Sequence, residues 1–302
     1  MKEKLLIYLK GMGMGAADVV PGVSGGTVAF ITGIYERLLN AIGSVDADAL
    51  RMLLRFDIKG IWKKVDGNFL LPLLAGIFTS VLTLAKLMKY LLETHPILLW
   101  SFFFGLIIAS AVIVSRQIKH WNAGSIIAII VGTVAAYYIS VLSPSEAPEG
   151  LPFVFLSGCI AICAMILPGI SGSFILLLMG QYQRIMQAIS DFDITKLAVF
   201  GMGCLVGILS FSRVLSFLLK RYHDATVALL TGFMIGSLNK VWPWKEVLEY
   251  YTNRHGEMKP LVEQNVSPMS FAGDPQLMLA VVLAIGGFVF VYGLEKFAMK
   301  KA

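Results

Sequence analysis

Two short serine- and glycine-rich segments hold the residues of this 302-residue chain that are best suited to chemistry. Pro21-Gly22-Val23-Ser24-Gly25-Gly26-Thr27 returns as Pro168-Gly169-Ile170-Ser171-Gly172-Ser173, and the match continues without a gap through Gly33/Gly180, Tyr35/Tyr182 and Arg37/Arg184. Proline removes a backbone donor and glycine admits positive φ, so a helix running into either segment must break. Beyond the break lie hydroxyls, small side chains and the open N–H groups of a new helix start, which together suit an anion. The candidate binding set is Ser24, Gly25, Gly26, Thr27, Ser171, Gly172 and Ser173, and a duplicated motif predicts that the two loops meet around one pocket. Close packing of helices through small residues is the structural alternative. The recurrence of Pro-Gly together with Ser favours a ligand.

Charged residues extend this set. Arg37 and Arg184 come after the two loops at the same spacing, while Lys86 and Arg213 occupy equivalent places within apolar stretches. A charge inside such a stretch is costly and suggests function, although lysine and arginine can also snorkel to an interface. Arg37, Arg184 and Arg213 are candidate donors to a bound phosphate, and Lys86 is a candidate for coupling or positioning. Asp18 and Glu36 flank the first loop, whereas Met165 and Gln183 stand at their counterparts. That asymmetry suggests a coupling proton or sodium ion on the first loop; a buried ion pair with one of the arginines is the competing reading. No metal site and no other cofactor is expected. Cys159, Cys163 and Cys204 lie in apolar segments without a ligand pattern, and the four histidines lack ligand spacing, so a metal or lipid-phosphatase enzyme is disfavoured.

The elements that carry these residues belong to a membrane. The chain is 57% apolar and 15% charged, with a mean hydropathy of +0.77, outside the range of soluble globular proteins. Its net charge of +6 comes from basic residues in short connections between apolar spans, which indicates topology and not nucleic-acid binding. The apolar start is interrupted by Lys10 and Asp18 and is expected to remain in the mature fold. The pattern predicts an all-α polytopic protein of two inverted repeats, each a re-entrant helical hairpin plus three transmembrane helices. The first repeat covers 1–142, with a hairpin at 5–43, an amphipathic interfacial segment at 44–68 and spans within 69–142. The second covers 151–302, with a hairpin at 151–189 and spans within 197–295, of which 225–239 is short. Gly76, Lys86, Gly105 and Ser110 align with Gly203, Arg213, Gly232 and Ser237 at one offset. The stretch 240–275 is expected to be a long outer loop with interfacial aromatics, and charge counting puts both termini in the cytoplasm. Inverted repeats with glycine-broken hairpins are an architecture of alternating access, here for an anionic substrate.

At Ala17-Asp18-Val19-Val20-Pro21-Gly22-Val23-Ser24-Gly25-Gly26-Thr27, and again at Leu167-Pro168-Gly169-Ile170-Ser171-Gly172-Ser173, the chain closely resembles the bacterial polyprenyl-phosphate transporter family, over nearly its whole length. The resemblance implies a multi-pass protein of the bacterial plasma membrane that returns undecaprenyl phosphate, the lipid carrier of cell-wall synthesis, from the outer to the inner leaflet. Undecaprenyl phosphate and membrane lipid would be its partners, with no nucleic acid and with room for a homo-oligomer. A carrier of a small soluble anion is the alternative from the residues alone.

Overall fold

Ile7, Gly11, Met14 and Gly15 recur at helical spacing, and they form the buried face of the first helix, α1 (Lys2–Val19). The computed structural model describes residues 2–19, 24–142, 148, 150–252 and 258–299. Pro21, Gly22 and Val23 of the first motif, most of the proline-containing 143–149 stretch, His255, Lys300 and Lys301 lie outside the described residues. After the first motif come α2 (Gly25–Ile31) and α3 (Tyr35–Gly43). The expected single limb 26–43 is thus two short helices, because Gly33 takes φ +71 between them; Gly180, with φ +64, splits the second limb in the same way.

Next lie α4 (Ala47–Leu54) and α5 (Ile58–Lys64), capped by Asp46 and Asp57. They leave Leu50, Leu53, Leu54, Phe56, Ile58 and Trp62 exposed, as an amphipathic segment would. The chain then runs through α6 (Gly67–Thr94), α7 (Pro96–Ser115) and α8 (Ala123–Val141). The second half has α9 (Leu151–Ile166), α10 (Gly172–Leu178), α11 (Tyr182–Ser190), α12 (Ile194–Arg221), α13 (His223–Ser237) and α14 (Leu277–Met299). Among the described residues, α6, α7, α8, α12 and α14 are long and apolar enough to cross a membrane. At 15 residues, α13 is shorter.

Helix pairing is the same in both halves. Inside each half, α1 packs on α6 and α9 on α12; across the halves, α7 packs on α14 and α8 on α13. Small residues let the backbones approach. A methyl group added at Gly76 would overlap the carbonyl of Tyr8, and one at the equivalent Gly203 would overlap that of Phe155. Across the halves, Gly105 meets Ala284 as Gly232 meets Ile129, and Gly132 meets Leu229 as Gly287 meets Phe102. The joints agree too, since α6 turns into α7 at His95 (φ −136, ψ 52) and α12 into α13 at Tyr222 (φ −130, ψ 50).

The all-α expectation needs one correction. Between α13 and α14 the chain forms an antiparallel hairpin of β1 (Lys245–Thr252) and β2 (Met258–Asn265), with Lys245 opposite Asn265 and Val247 opposite Glu263. The expected loop aromatics brace its base: Trp244 donates to the Pro275 carbonyl and Trp242 to that of Val266, each at 2.9 Å, and the two indoles meet edge to face.

Candidate functional site

The last turn of α9 leaves carbonyls that no residue of its own helix can satisfy. The first motif satisfies them. Ser24, in extended conformation at the N-cap of α2, accepts from Gly26 N at 3.1 Å, and its hydroxyl lies 3.1 Å from the carbonyls of both Met165 and Leu167. Tyr35 donates to the intervening Ile166 carbonyl at 3.1 Å. Thr27 Oγ1 in turn accepts from Gly169 N, also at 3.1 Å. A side chain on Gly26 would overlap the Ile166 carbonyl, so glycine is what allows the two loops to touch. Both Ser24 and Thr27 are 1% exposed.

The second loop is built alike and sits differently. Gly169 takes φ +83, with α13 so near that a Cβ would stand 2.9 Å from the Phe233 carbonyl. Ser171 caps α10, accepting from Phe174 N at 3.5 Å, and pairs with the Ser173 hydroxyl at 2.9 Å. Ser173 is exposed, and Ser171 borders a narrow recess shared with Ser140, Phe174, Ser237 and Lys240. The first loop therefore packs against the end of α9 and against Gly169, whereas Ser171 and Ser173 bond to each other and Gly172 lies against Ala161 and Met165, with open space beside the second loop.

Asp18 also belongs to this contact. Its Oδ1 accepts from Gly25 N at 2.7 Å, and a side chain at Gly25 would collide with the carboxylate. The equivalent Gly172 faces Met165, so the first-loop carboxylate stands where the second loop has a thioether. Glu36 is exposed on α3, and Lys86 is exposed on α6.

Among the described residues, Arg37 and Arg213 take their hydrogen-bond partners away from both loops. Arg37 forms a 2.7 Å ion pair with Asp66, reaches Glu3 at 3.5 Å and lies 4.5 Å over the Phe69 ring. Arg184 donates to the Pro148 carbonyl at 3.0 Å and lines a cavity of about 410 Å³ with Asp191, Asp193 and Lys196. Arg213 donates to the carbonyls of Gly43 and Val45, and so caps the end of α3 from α12; Ser216 adds a bond to Asn40 at 2.8 Å. The cysteine pattern yields thiol contacts to carbonyls, Cys159 to Gly203 and Cys163 to Gly207. No cluster of metal-ligating side chains occurs among the described residues.

Sequence reasoning missed a polar cavity of about 340 Å³ beside the hairpin, lined by Lys240, Lys245, Glu263, Asn239, Asn265 and Phe174 among others. Two lysines near the end of an apolar helix were the available signal, but they fell in a stretch expected to be a loop. Gln181, fully buried with a side-chain amide that finds no hydrogen-bond partner among the described residues, was missed as well, because a glutamine beside a glycine turn looks like ordinary surface.

With this geometry in hand, comparison with known proteins gives a consistent result. Residues 14–259 match the family described as VCA0040-like, undecaprenyl phosphate translocase-like. A polyprenyl-phosphate transporter of Vibrio cholerae is 49% identical over 300 residues, covering 98% of this chain and 97% of the relative. A second protein so named, from Staphylococcus aureus, is 31% identical over 258 residues, 80% of this chain and 87% of the relative. No solved structure matches the chain.

Proposed function

This chain belongs to the undecaprenyl phosphate translocase-like family, and from that premise we propose that it returns undecaprenyl phosphate from the outer to the inner leaflet of the bacterial plasma membrane. It is a multi-pass membrane transporter of a polyprenyl-phosphate lipid carrier, not an enzyme. The observation that carries the mechanistic reading is the direct contact between the repeated loops, in which Ser24 holds the end of α9 and Gly169 N donates to Thr27. In this reading the contact is a gate. It seals the Ser24–Thr27 side while Ser171 borders a recess and Ser173 is exposed, and the head group is handed from one loop to the other as the gate exchanges sides.

The repeated helix pairs and joints support inverted repeats, in which each state of one half has a counterpart in the other. An asymmetry in the latches supports alternation: Arg213 ties α12 to the carbonyls of Gly43 and Val45 at the end of α3, and its counterpart Lys86 makes no such bond among the described residues. Arg37 and Arg184 lie on α3 and α11, the helices that come after the loops, and would meet the phosphate once those helices shift. Moving a phosphate across a polarised membrane transfers charge, worth about 2.3 kcal/mol per elementary charge per 100 mV, so a proton or sodium ion taken up at Asp18 or Glu36 would set the direction. Both termini are cytoplasmic in this topology.

The test is transport in reconstituted vesicles. The unmodified protein should move undecaprenyl phosphate between leaflets, with a rate that responds to an imposed pH or sodium gradient. Thr27→Val, which deletes the acceptor for Gly169, should slow it. A leaflet exchange rate equal to that of protein-free vesicles would overturn the proposal, and indifference to both gradients would remove the coupling role of Asp18 and Glu36.

A further inference from the structure

Beside the second loop, the end of α8, the N-terminal part of α10 and the base of the β hairpin enclose the polar cavity of about 340 Å³. Its charge is unbalanced. Lys240 and Lys245 both reach the same oxygen of Glu263, each at 3.5 Å, too long for either to be a well-made charge-assisted bond. Lys245 is 8% exposed, donates to the Lys240 carbonyl at 2.7 Å and lies 4.4 Å from the Trp100 ring centre, while Lys240 lies 4.6 Å from that of Phe174. Two ammonium groups against one carboxylate leave one positive charge in excess among the described residues of a half-open site in which Lys245 is buried. Uncompensated buried charge is costly, and an anion would balance it.

The mouth of the cavity is apolar. Tyr137, Val141, Leu142 and Leu248 line it and are exposed, and Ile130, Val134, Tyr137 and Val141 continue along α8 as an exposed stripe at helical spacing. Inward, Ser140, Phe174 and Lys240 also line the recess that reaches Ser171, so the cavity shares a wall with the recess beside the second loop. A charged interior, an apolar lip and a wall shared with the recess at Ser171 fit an amphiphile with an anionic head.

We propose that this cavity is a loading site for a phosphomonoester on an isoprenoid chain, with Lys240 and Lys245 holding the phosphate, Glu263 limiting its affinity and the chain lying along the α8 stripe. The proposal rests on the transport reading above and adds the place where the head group waits before reaching Ser171. Glu263 then has a function in release, since a site that held the phosphate with both lysines unopposed would retain it.

The full chain in nanodiscs tests this by titration with farnesyl phosphate, inorganic phosphate and farnesol, with vesicle transport measured on the same variants. Lys240→Gln and Lys245→Gln should each weaken farnesyl phosphate binding about tenfold, whereas Glu263→Gln should strengthen it several-fold and slow transport. Lys240 is the less enclosed of the two and guards against a Lys245 variant that fails to fold. Inorganic phosphate should show the same order at lower affinity, and farnesol should respond to none of the three changes. Unchanged binding in both lysine variants would overturn the site. A uniform loss of binding and thermal stability in all three would reduce it to a structural ion-pair cluster, and inorganic phosphate binding as tightly as farnesyl phosphate would remove the lipid. Lysine-dependent binding by a protein that moves no lipid phosphate would support the site while refuting the transport reading.

Discussion

Replacing Ser24 by alanine tests whether the first loop caps the second half of the molecule. Its hydroxyl accepts from Gly26 N and faces two α9 carbonyls at 3.1 Å, and the residue is 1% exposed. Loss of an N-cap costs about 1 kcal/mol. Leaving a buried carbonyl without its donor adds about 1–3 kcal/mol, since no water replaces the hydroxyl in so enclosed a place. The sum is roughly 2–4 kcal/mol. Ser171→Ala is the control, because it occupies the equivalent position but accepts only a 3.5 Å bond from Phe174 N and shares its hydroxyl with the exposed Ser173. Its cost should stay near the lower end of the capping range, about 0.5–1 kcal/mol. Denaturant titration in one detergent, monitored by tryptophan fluorescence, compares the two. A Ser171→Ala variant as destabilised as Ser24→Ala would refute the reasoning, for it would mean that the cross-loop carbonyls contribute nothing.

Two other outcomes are expected. Gly76→Ala and Gly203→Ala, which drive a methyl into the Tyr8 and Phe155 carbonyls, should each cost about 1–3 kcal/mol and by similar amounts, whereas Gly286→Ala, with nothing within 4 Å of its added Cβ, should be neutral or slightly stabilising in the same unfolding assay. Burial, reinforced by Lys240 and opposed by Glu263, pushes Lys245 down from 10.5 to about 8. Its charge is therefore present below about pH 8, and phosphate binding measured by calorimetry should fall as pH rises through that value. Without phosphate the stability should instead rise between about 8 and 10.5, where the unfolded chain holds the extra proton. Lys245→Gln should flatten both profiles.

Much of the architecture was legible because it obeys periodicity. Long apolar runs announced α6, α7, α8, α12 and α14, and Pro-Gly with a serine after it announced the breaks before α2 and α10. Gly76 and Gly203 meet the carbonyls of Tyr8 and Phe155, which stand at the spacing of the repeated loops and not of the spans, because the interfacial segment lies between the two matches in the first half. The hairpin was hidden because Lys245-Glu246-Val247-Leu248-Glu249-Tyr250 mixes charge with strand-forming residues, and its tyrosines suggested a membrane interface. At the loops, residue types identified the participants but not their partners. Ser24 could have faced a ligand, yet it faces Met165 and Leu167, a choice made by tertiary packing between segments far apart in sequence. The arginines were legible as unusual and illegible in role, because a guanidinium long enough to reach a pocket also reaches Asp66 or the end of α3.

The exchange of helices between the halves bears on how the molecule is made. α7 is the most enclosed of the five apolar spans, and the surface that encloses it includes α14, which is synthesised long after it. Between Ser115 and Leu277 the ribosome must add most of the second half, which at roughly 5–20 residues per second takes on the order of ten seconds or more. For that interval the face of α7 that carries Gly105 lacks α14 to rest against, and lipid or the insertion machinery must occupy it. A nascent chain halted before Leu277 would therefore expose Gly105 and Phe102 to whatever lies beside them in the bilayer.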